Sequence, residues 1–198
     1  MQRVLADHNK PEHKAIIKKA FGDNPNLEAI KKNVEMLKKK NVFVQNVKAE
    51  KPGSFAFSRK NSATGEKGLH FTSNYFNKKT AKGQAGTLIH EASHQLFDTK
   101  DNFVKEGNTF RAISKGEIKN LPQGSVVKSG CGFFIPQIYE LSEFNTFFPI
   151  VDLHKDFDHL KEHASPVMHL NADSYKAFGH YAKYGENTPM DHKVEVHH

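Results

Sequence analysis

The stretch Thr87-Leu88-Ile89-His90-Glu91-Ala92-Ser93-His94-Gln95-Leu96-Phe97 decides how the rest of the chain is read. Inside it, His90-Glu91-Ala92-Ser93-His94 is an H-E-x-x-H pattern. On an α-helix, residues four apart share a face about one turn apart, so both imidazoles can reach one cation. Zn²⁺ suits such a pair because it accepts neutral nitrogen ligands in a tetrahedral shell. Glu91 stands beside the first histidine, where a carboxylate can take the proton of a metal-activated water. Leu88, Ile89, Ala92 and Leu96 form an apolar stripe, and neither Pro nor Gly interrupts residues 87 to 97. Thr87 is the expected N-cap, after a Gly83-Gln84-Ala85-Gly86 run that reads as a flexible lead-in.

Two histidines leave a catalytic zinc site one protein ligand short. Asp101 is the expected third ligand. It follows the polar turn Asp98-Thr99-Lys100, so the chain can fold its carboxylate back toward the histidines. Asp98 is the runner-up, although on a continued helix it would lie about two turns from His90. Turn chemistry is the better reading for Asp98, and Glu117, Glu140 and Glu143 are more distant candidates.

Outward from this centre the pattern is α+β. Residues 10 to 21 read as a helix with Ile16, Ile17, Ala20 and Phe21 inward. Asn24-Pro25 then reads as the start of a second helix carrying Leu27, Ile30, Val34 and Leu37 to Lys40. The period changes after Asn41: Val42 to Val47, Phe55 to Ser58 and Leu69 to Thr72 are expected strands, the first two joined through Lys51-Pro52-Gly53. Such a small sheet would give the metal helix a surface to pack on, and its edge could hold an extended peptide. Residues 105 to 135 read as loops with a short strand around Ser125-Val126-Val127, and 137 to 144 as a helix. Asn171 opens a last helix to about Tyr184, where Tyr175, Phe178 and Tyr181 fall at core spacing. Tyr175 could alternatively bring its hydroxyl to the metal and stabilise an oxyanion.

At 198 residues and 37% hydrophobic, the chain suffices for one substantial core. A single domain, 1–198, is expected, with a helical N-terminal scaffold over 1–40 and a catalytic core over 41–198. No run of 18 apolar residues is present, which excludes a membrane-spanning helix of ordinary length. Met1 to His8 lacks the apolar run of a signal peptide; a secreted or exported protein using another route, or a fragment of a larger one, is the expectation. Cys131 is the only cysteine, so no intrachain disulfide can form, and a buried or half-buried thiol is expected. The net charge of +7 favours anionic surroundings. The lysines of Lys31-Lys32 and Lys38-Lys39-Lys40 fit a solvated helix face; no nucleic-acid motif accompanies them. The cluster Asp152 to His159 reads as surface rather than a second metal site. His197 and His198 are set aside as terminal.

Four elements together carry a resemblance: Phe71-Thr72-Ser73-Asn74-Tyr75-Phe76, Ala85 to His94, Asp98-Thr99-Lys100-Asp101 and Asn171-Ala172-Asp173-Ser174-Tyr175. They resemble the aspzincin metalloendopeptidases, the deuterolysin and peptidyl-lysine endopeptidase group, over about half of the chain. The resemblance implies a mainly helical, zincin-like domain with a small sheet. It implies one Zn²⁺ held by His90, His94 and Asp101, with Glu91 as general base in the hydrolysis of peptide bonds. The family turn closes on Tyr-Gly where this chain has Val104-Lys105, and valine donates no hydrogen bond. Tyr175, Tyr139, a histidine or water would then supply the transition-state donor. Lysine preference does not carry over, since residues 115 to 132 hold Glu117 as their single acid.

The expected partner is a protein or peptide, a cell-wall peptide among them, cut by a monomeric enzyme that could serve as a bacterial exported effector or toxin. An inhibitor or immunity protein would fit such a role. The alternative is a degenerate, zinc-containing module that binds an acidic partner, nucleic acid or cell-wall polymer.

Overall fold

One proline and one asparagine set the starts of the second and third helices. The computed structural model describes residues 1–51, 54–131 and 153–190, with the side chains of 153 and 154 left out. Helix α1 spans Gln2–Ala6, and α2 spans Pro11–Phe21 with Pro11 at a first-turn position that needs no N–H donor. Gly22 ends α2 at φ +90°, where a Cβ would fall 2.1 Å from the Lys161 carbonyl oxygen. Helix α3, Leu27–Lys39, starts two residues later than the Asn24-Pro25 signal. Asn26 is the cap, its side chain accepting from Ala29 N at 3.0 Å.

Strands β1 (Val44–Ala49), β2 (Ala56–Lys60) and β3 (Lys67–Thr72) form a sheet in the order β1-β3-β2. The three expected strands are therefore present, but the first two are not neighbours. β3 lies between them, parallel to β1 and antiparallel to β2. Leu69 and Phe71 of β3 pack with Tyr75 of α4 (Ser73–Lys78) in a small apolar cluster of their own.

Helix α5, Ala81–Phe97, carries the H-E-x-x-H residues and begins six positions before the expected cap. Thr80, not Thr87, closes its N-terminus by accepting from Gly83 N at 3.1 Å. Gly83 and Gly86 thus lie within the helix. Asp98 terminates it in the left-handed conformation at φ 59° and ψ 35°, a geometry in which aspartate is tolerated better than most residues.

Where a loop was expected, β4 (Asn102–Glu106) and β5 (Thr109–Ile113) form an antiparallel hairpin turning at Gly107. Strand β6 (Val127–Ser129) pairs with the other edge of β4 and agrees with the strand expected near Val127. Between them, the single turn α6 (Lys115–Ile118) is fixed by a Ser114–Glu117 capping box. The chain closes with α7 (Leu153–His163), a 3-10 turn (Ser165–Leu170) and α8 (Ala172–Tyr184), capped by Asn171. The helix expected over 137 to 144 falls outside the described residues.

One apolar cluster joins the N-terminal helices to the rest: Ile17, Phe21 and Ile30 pack with Phe103, Leu160 and Phe178. Phe21 meets Tyr175 and Phe178 edge-on, with ring centroids 5.2 and 5.5 Å apart. Helix α8 also packs closely on α5, since a Cβ at Gly179 would lie 2.7 Å from Ile89 Cδ1. The N-terminal helices, α5 and α8 therefore hold the metal-helix residues against a shared core. Among the described residues no helix is long and apolar enough to cross a membrane.

Candidate metal centre

His90 and His94 share one face of α5, and one ring nitrogen of each, Nδ1, is engaged on the far side. His90 Nδ1 lies 2.7 Å from Asp173 Oδ1, and His94 Nδ1 lies 2.7 Å from the Thr99 carbonyl oxygen. A carbonyl and a carboxylate accept hydrogen bonds, so both Nδ1 atoms donate. In the neutral form each ring would present a bare lone pair at Nε2. The two Nε2 atoms face one another at 3.1 Å.

Asp101 completes the set. Its Oδ1 stands 3.4 Å from His90 Nε2 and 3.3 Å from His94 Nε2. That oxygen is buried and has no hydrogen-bond partner. With both rings neutral, three acceptors converge with no donor among them, which is unfavourable unless a cation or proton lies between. Their spacing matches the first of these. A tetrahedral ion with ligand distances of about 2.0 Å has ligand–ligand edges of about 3.3 Å. Two imidazoles and a carboxylate are also the donor types that zinc accepts. Among the described residues, His90, His94 and Asp101 form the group of donors close enough to hold an ion together.

The electrostatics point the same way. Burial disfavours charge on His90, but Asp101 and Asp173 outweigh it and raise the imidazole to about 9. Burial would also push the Asp101 carboxyl up, yet the histidines hold it well below the usual carboxylate range. The pocket therefore demands positive charge, and a proton and a metal ion compete for the same nitrogen lone pair.

The surrounding bonds fix the ligands' elements. Ser93, fully buried, donates to the His90 carbonyl at 2.6 Å and meets the Thr99 hydroxyl at 2.7 Å. Asp98 is turn chemistry as expected, its carboxylate engaged by Lys67 and by Lys100 Nζ, the latter at 2.6 Å. Lys67 Nζ also donates to the His94 carbonyl at 3.0 Å. Glu91 follows His90 on the helix and is 7% exposed. Glu117 serves the α6 cap and pairs with Arg111 Nη1 at 3.0 Å, so it is committed elsewhere. Glu140 and Glu143 lie outside the described residues.

Tyr175 goes to the core. It is fully buried, its hydroxyl receiving Asn33 Nδ2 at 2.7 Å and donating to the His169 carbonyl at 3.0 Å. The oxyanion role considered for it is therefore corrected: both hydrogen-bonding directions of the hydroxyl are used inside the fold. Val104 is buried on β4, pairing with Arg111 and Val127. Tyr139 falls outside the described residues. In the stretch 152 to 159, buried Asp156 binds Lys128 Nζ at 2.7 Å and Ser129 N at 3.1 Å, a structural role. Cys131 is half-buried, and burial followed by the charges of Asp101 and Asp173 pushes its thiol upward.

Sequence reasoning missed Asp173 as the partner of His90. It lay inside the Asn171-Ala172-Asp173-Ser174-Tyr175 element, where its place in the first turn of a helix gave it an ordinary explanation.

No protein-family model matches the chain, and no curated protein matches it. Among solved structures, a zinc peptidase from Grifola frondosa superimposes with a TM-score of 0.50 at 13% identity. The overlap covers 92% of this chain and 86% of that one. At that identity the likeness is one of fold. It agrees with the α+β, mainly helical architecture described above.

Proposed function

We propose that the protein is a zinc-dependent metallopeptidase of aspzincin type that hydrolyses peptide bonds with Glu91 as general base. The observation that carries this reading is the convergence of His90 Nε2, His94 Nε2 and Asp101 Oδ1 at 3.1 to 3.4 Å, a set that needs a cation or a proton at its centre. The fold likeness to a zinc peptidase supports it.

Zinc bound there would supply a Lewis acid that polarises a carbonyl and makes water a competent nucleophile near neutral pH. The chain's residues do the rest. His90, His94 and Asp101 would hold the ion; Asp173 and the Thr99 carbonyl keep both imidazoles in the tautomer that offers Nε2. Glu91 Oε accepts the proton of the attacking water and passes it to the leaving nitrogen. Burial of Glu91 limits competing solvent around that proton. The net charge of +7 suits a substrate in anionic surroundings, such as cell-wall peptide, and the exported effector role is proposed on that charge.

The test pairs metal content with casein hydrolysis for the wild type and Glu91→Gln. Both should bind one zinc, and the variant should lose about 10² to 10⁴-fold in turnover, the usual worth of a general base. Full activity in zinc-loaded Glu91→Gln would overturn the assignment. A second reading, a zinc-containing binding module without turnover, is favoured by buried Val104 and by the engaged Tyr175 hydroxyl. A wild type that binds zinc and cuts neither casein nor a peptide library would establish it.

A further inference from the structure

We propose that Asn171 is a positioning residue for the metal centre, one buried amide that sets the backbone of both carboxylates acting on His90. The proposal rests on the metal-site reading and goes beyond it.

Asp101 and Asp173 reach His90 from opposite ring nitrogens and from separate parts of the chain. Their relative placement decides whether Nε2 faces the third ligand. Asn171 lies where those two parts meet, and it is fully buried. Its Oδ1 accepts from Ser174 N at 2.8 Å, which fixes the first turn of α8 and with it Asp173. Its Nδ2 donates to the Gly130 carbonyl at 3.0 Å. Gly130 N in turn donates to the Asp101 carbonyl at 2.7 Å. The orientation of the amide is forced, because a backbone N–H only donates and a carbonyl only accepts. One end of the amide therefore serves the Asp173 segment and the other serves the Asp101 segment.

The backbone repeats the connection. Lys100 N donates to the Leu170 carbonyl at 2.7 Å, and Ala172 N donates to the Lys100 carbonyl at 3.3 Å, a parallel bridge between Lys100 and Asn171. Gly130 has no room for a side chain: a Cβ there would lie 1.8 Å from Asn171 Nδ2 and 3.0 Å from the Phe103 ring. The contact thus demands glycine on one side and a short amide on the other. A plain helix cap would explain the bond to Ser174 N. It leaves the donation to Gly130 without a purpose, and that donation is the half that reaches the metal turn.

The two halves can be separated. Asn171→Asp and Asn171→Ser both retain an oxygen suited to capping α8 while removing the amide donor to Gly130. Gly130→Ala attacks the same contact from the other side. Each variant is titrated with Zn²⁺, then loaded with Co²⁺ for its visible spectrum, and compared by circular dichroism. The expected result is a zinc dissociation constant raised about 10- to 100-fold, as for other residues that orient metal ligands, with an altered cobalt spectrum and unchanged helix content. The effects of Gly130→Ala and Asn171→Ser should combine less than additively, since they break one contact. Wild-type zinc affinity and a wild-type cobalt spectrum in the variants would overturn the proposal and leave the metal site standing. A wild type that binds neither ion would overturn the metal site itself, and this proposal with it.

Discussion

Asp173 Oδ1 lies 2.7 Å from His90 Nδ1, joining residues 83 positions apart in the chain. The pair ties α8 to α5 and decides which nitrogen of His90 is free. Asp173→Ala should therefore weaken zinc binding by about 10- to 100-fold, the usual cost of losing a ligand's orienting carboxylate. Isothermal titration of the metal-free protein with zinc measures this, and an unchanged affinity would mean that His90 is oriented by packing alone.

Tyr175→Phe separates the core role from a chemical one. The change removes the acceptor that Asn33 Nδ2 uses at 2.7 Å inside the fold. It should lower unfolding stability by about 1 kcal/mol, the net worth of a buried hydrogen bond, since Asn33 Nδ2 keeps the His169 carbonyl as a second acceptor at 3.4 Å. Zinc affinity and the rate per folded molecule should stay at wild-type values. A large fall in kcat with stability intact would return Tyr175 to the reacting centre.

His90 and its partner Asp173 mark where the sequence could be read and where it could not. The four-residue spacing of His90 and His94 is a local property, so their shared helix face follows from helical geometry alone. Asp101 was within reach because the turn after Phe97 has only a few ways to return. Asp173 was not, since nothing local says which distant element α5 will pack upon. Thr87 looked like a cap because Gly83 and Gly86 favour loops in isolation. In the fold, Gly86 is packed close to Lys176 of α8, with a Cβ there falling 3.3 Å from Lys176 Cγ, and tertiary contact overrides the local preference. The hairpin over β4 and β5 was hidden in the same way, its charged residues outward and Phe103, Phe110 and Ile113 inward.

Acid should weaken α6 in a definite window. Hydrogen bonds from the Ser114 backbone and side chain, with help from Arg111, lower Glu117 from 4.5 to about 2. A group lowered on folding stabilises the fold above its unfolded value and loses that contribution as pH falls through the folded one. Glu117→Gln should thus be less stable than the wild type at pH 7, and the gap should close between pH 4.5 and about 2. Urea unfolding of the metal-free proteins across that range checks the sign. A gap independent of pH would remove the charge from the explanation.

Metal removal should be visible in stability. An ion that binds the native state alone adds about 2.7 kcal/mol when present at a hundred times its dissociation constant. Chelation should therefore lower the melting temperature, and zinc should restore it. Asp101→Ala should abolish most of that zinc-dependent gain while retaining the fold. Equal melting temperatures with and without zinc in the wild type would show that the ion does not bind the folded state.

The most direct measurement is a crystal structure of the zinc-soaked protein with data at the zinc absorption edge. The account predicts one anomalous peak about 2.0 to 2.2 Å from His90 Nε2, His94 Nε2 and Asp101 Oδ1. A peak elsewhere, or none with zinc in excess, would contradict it.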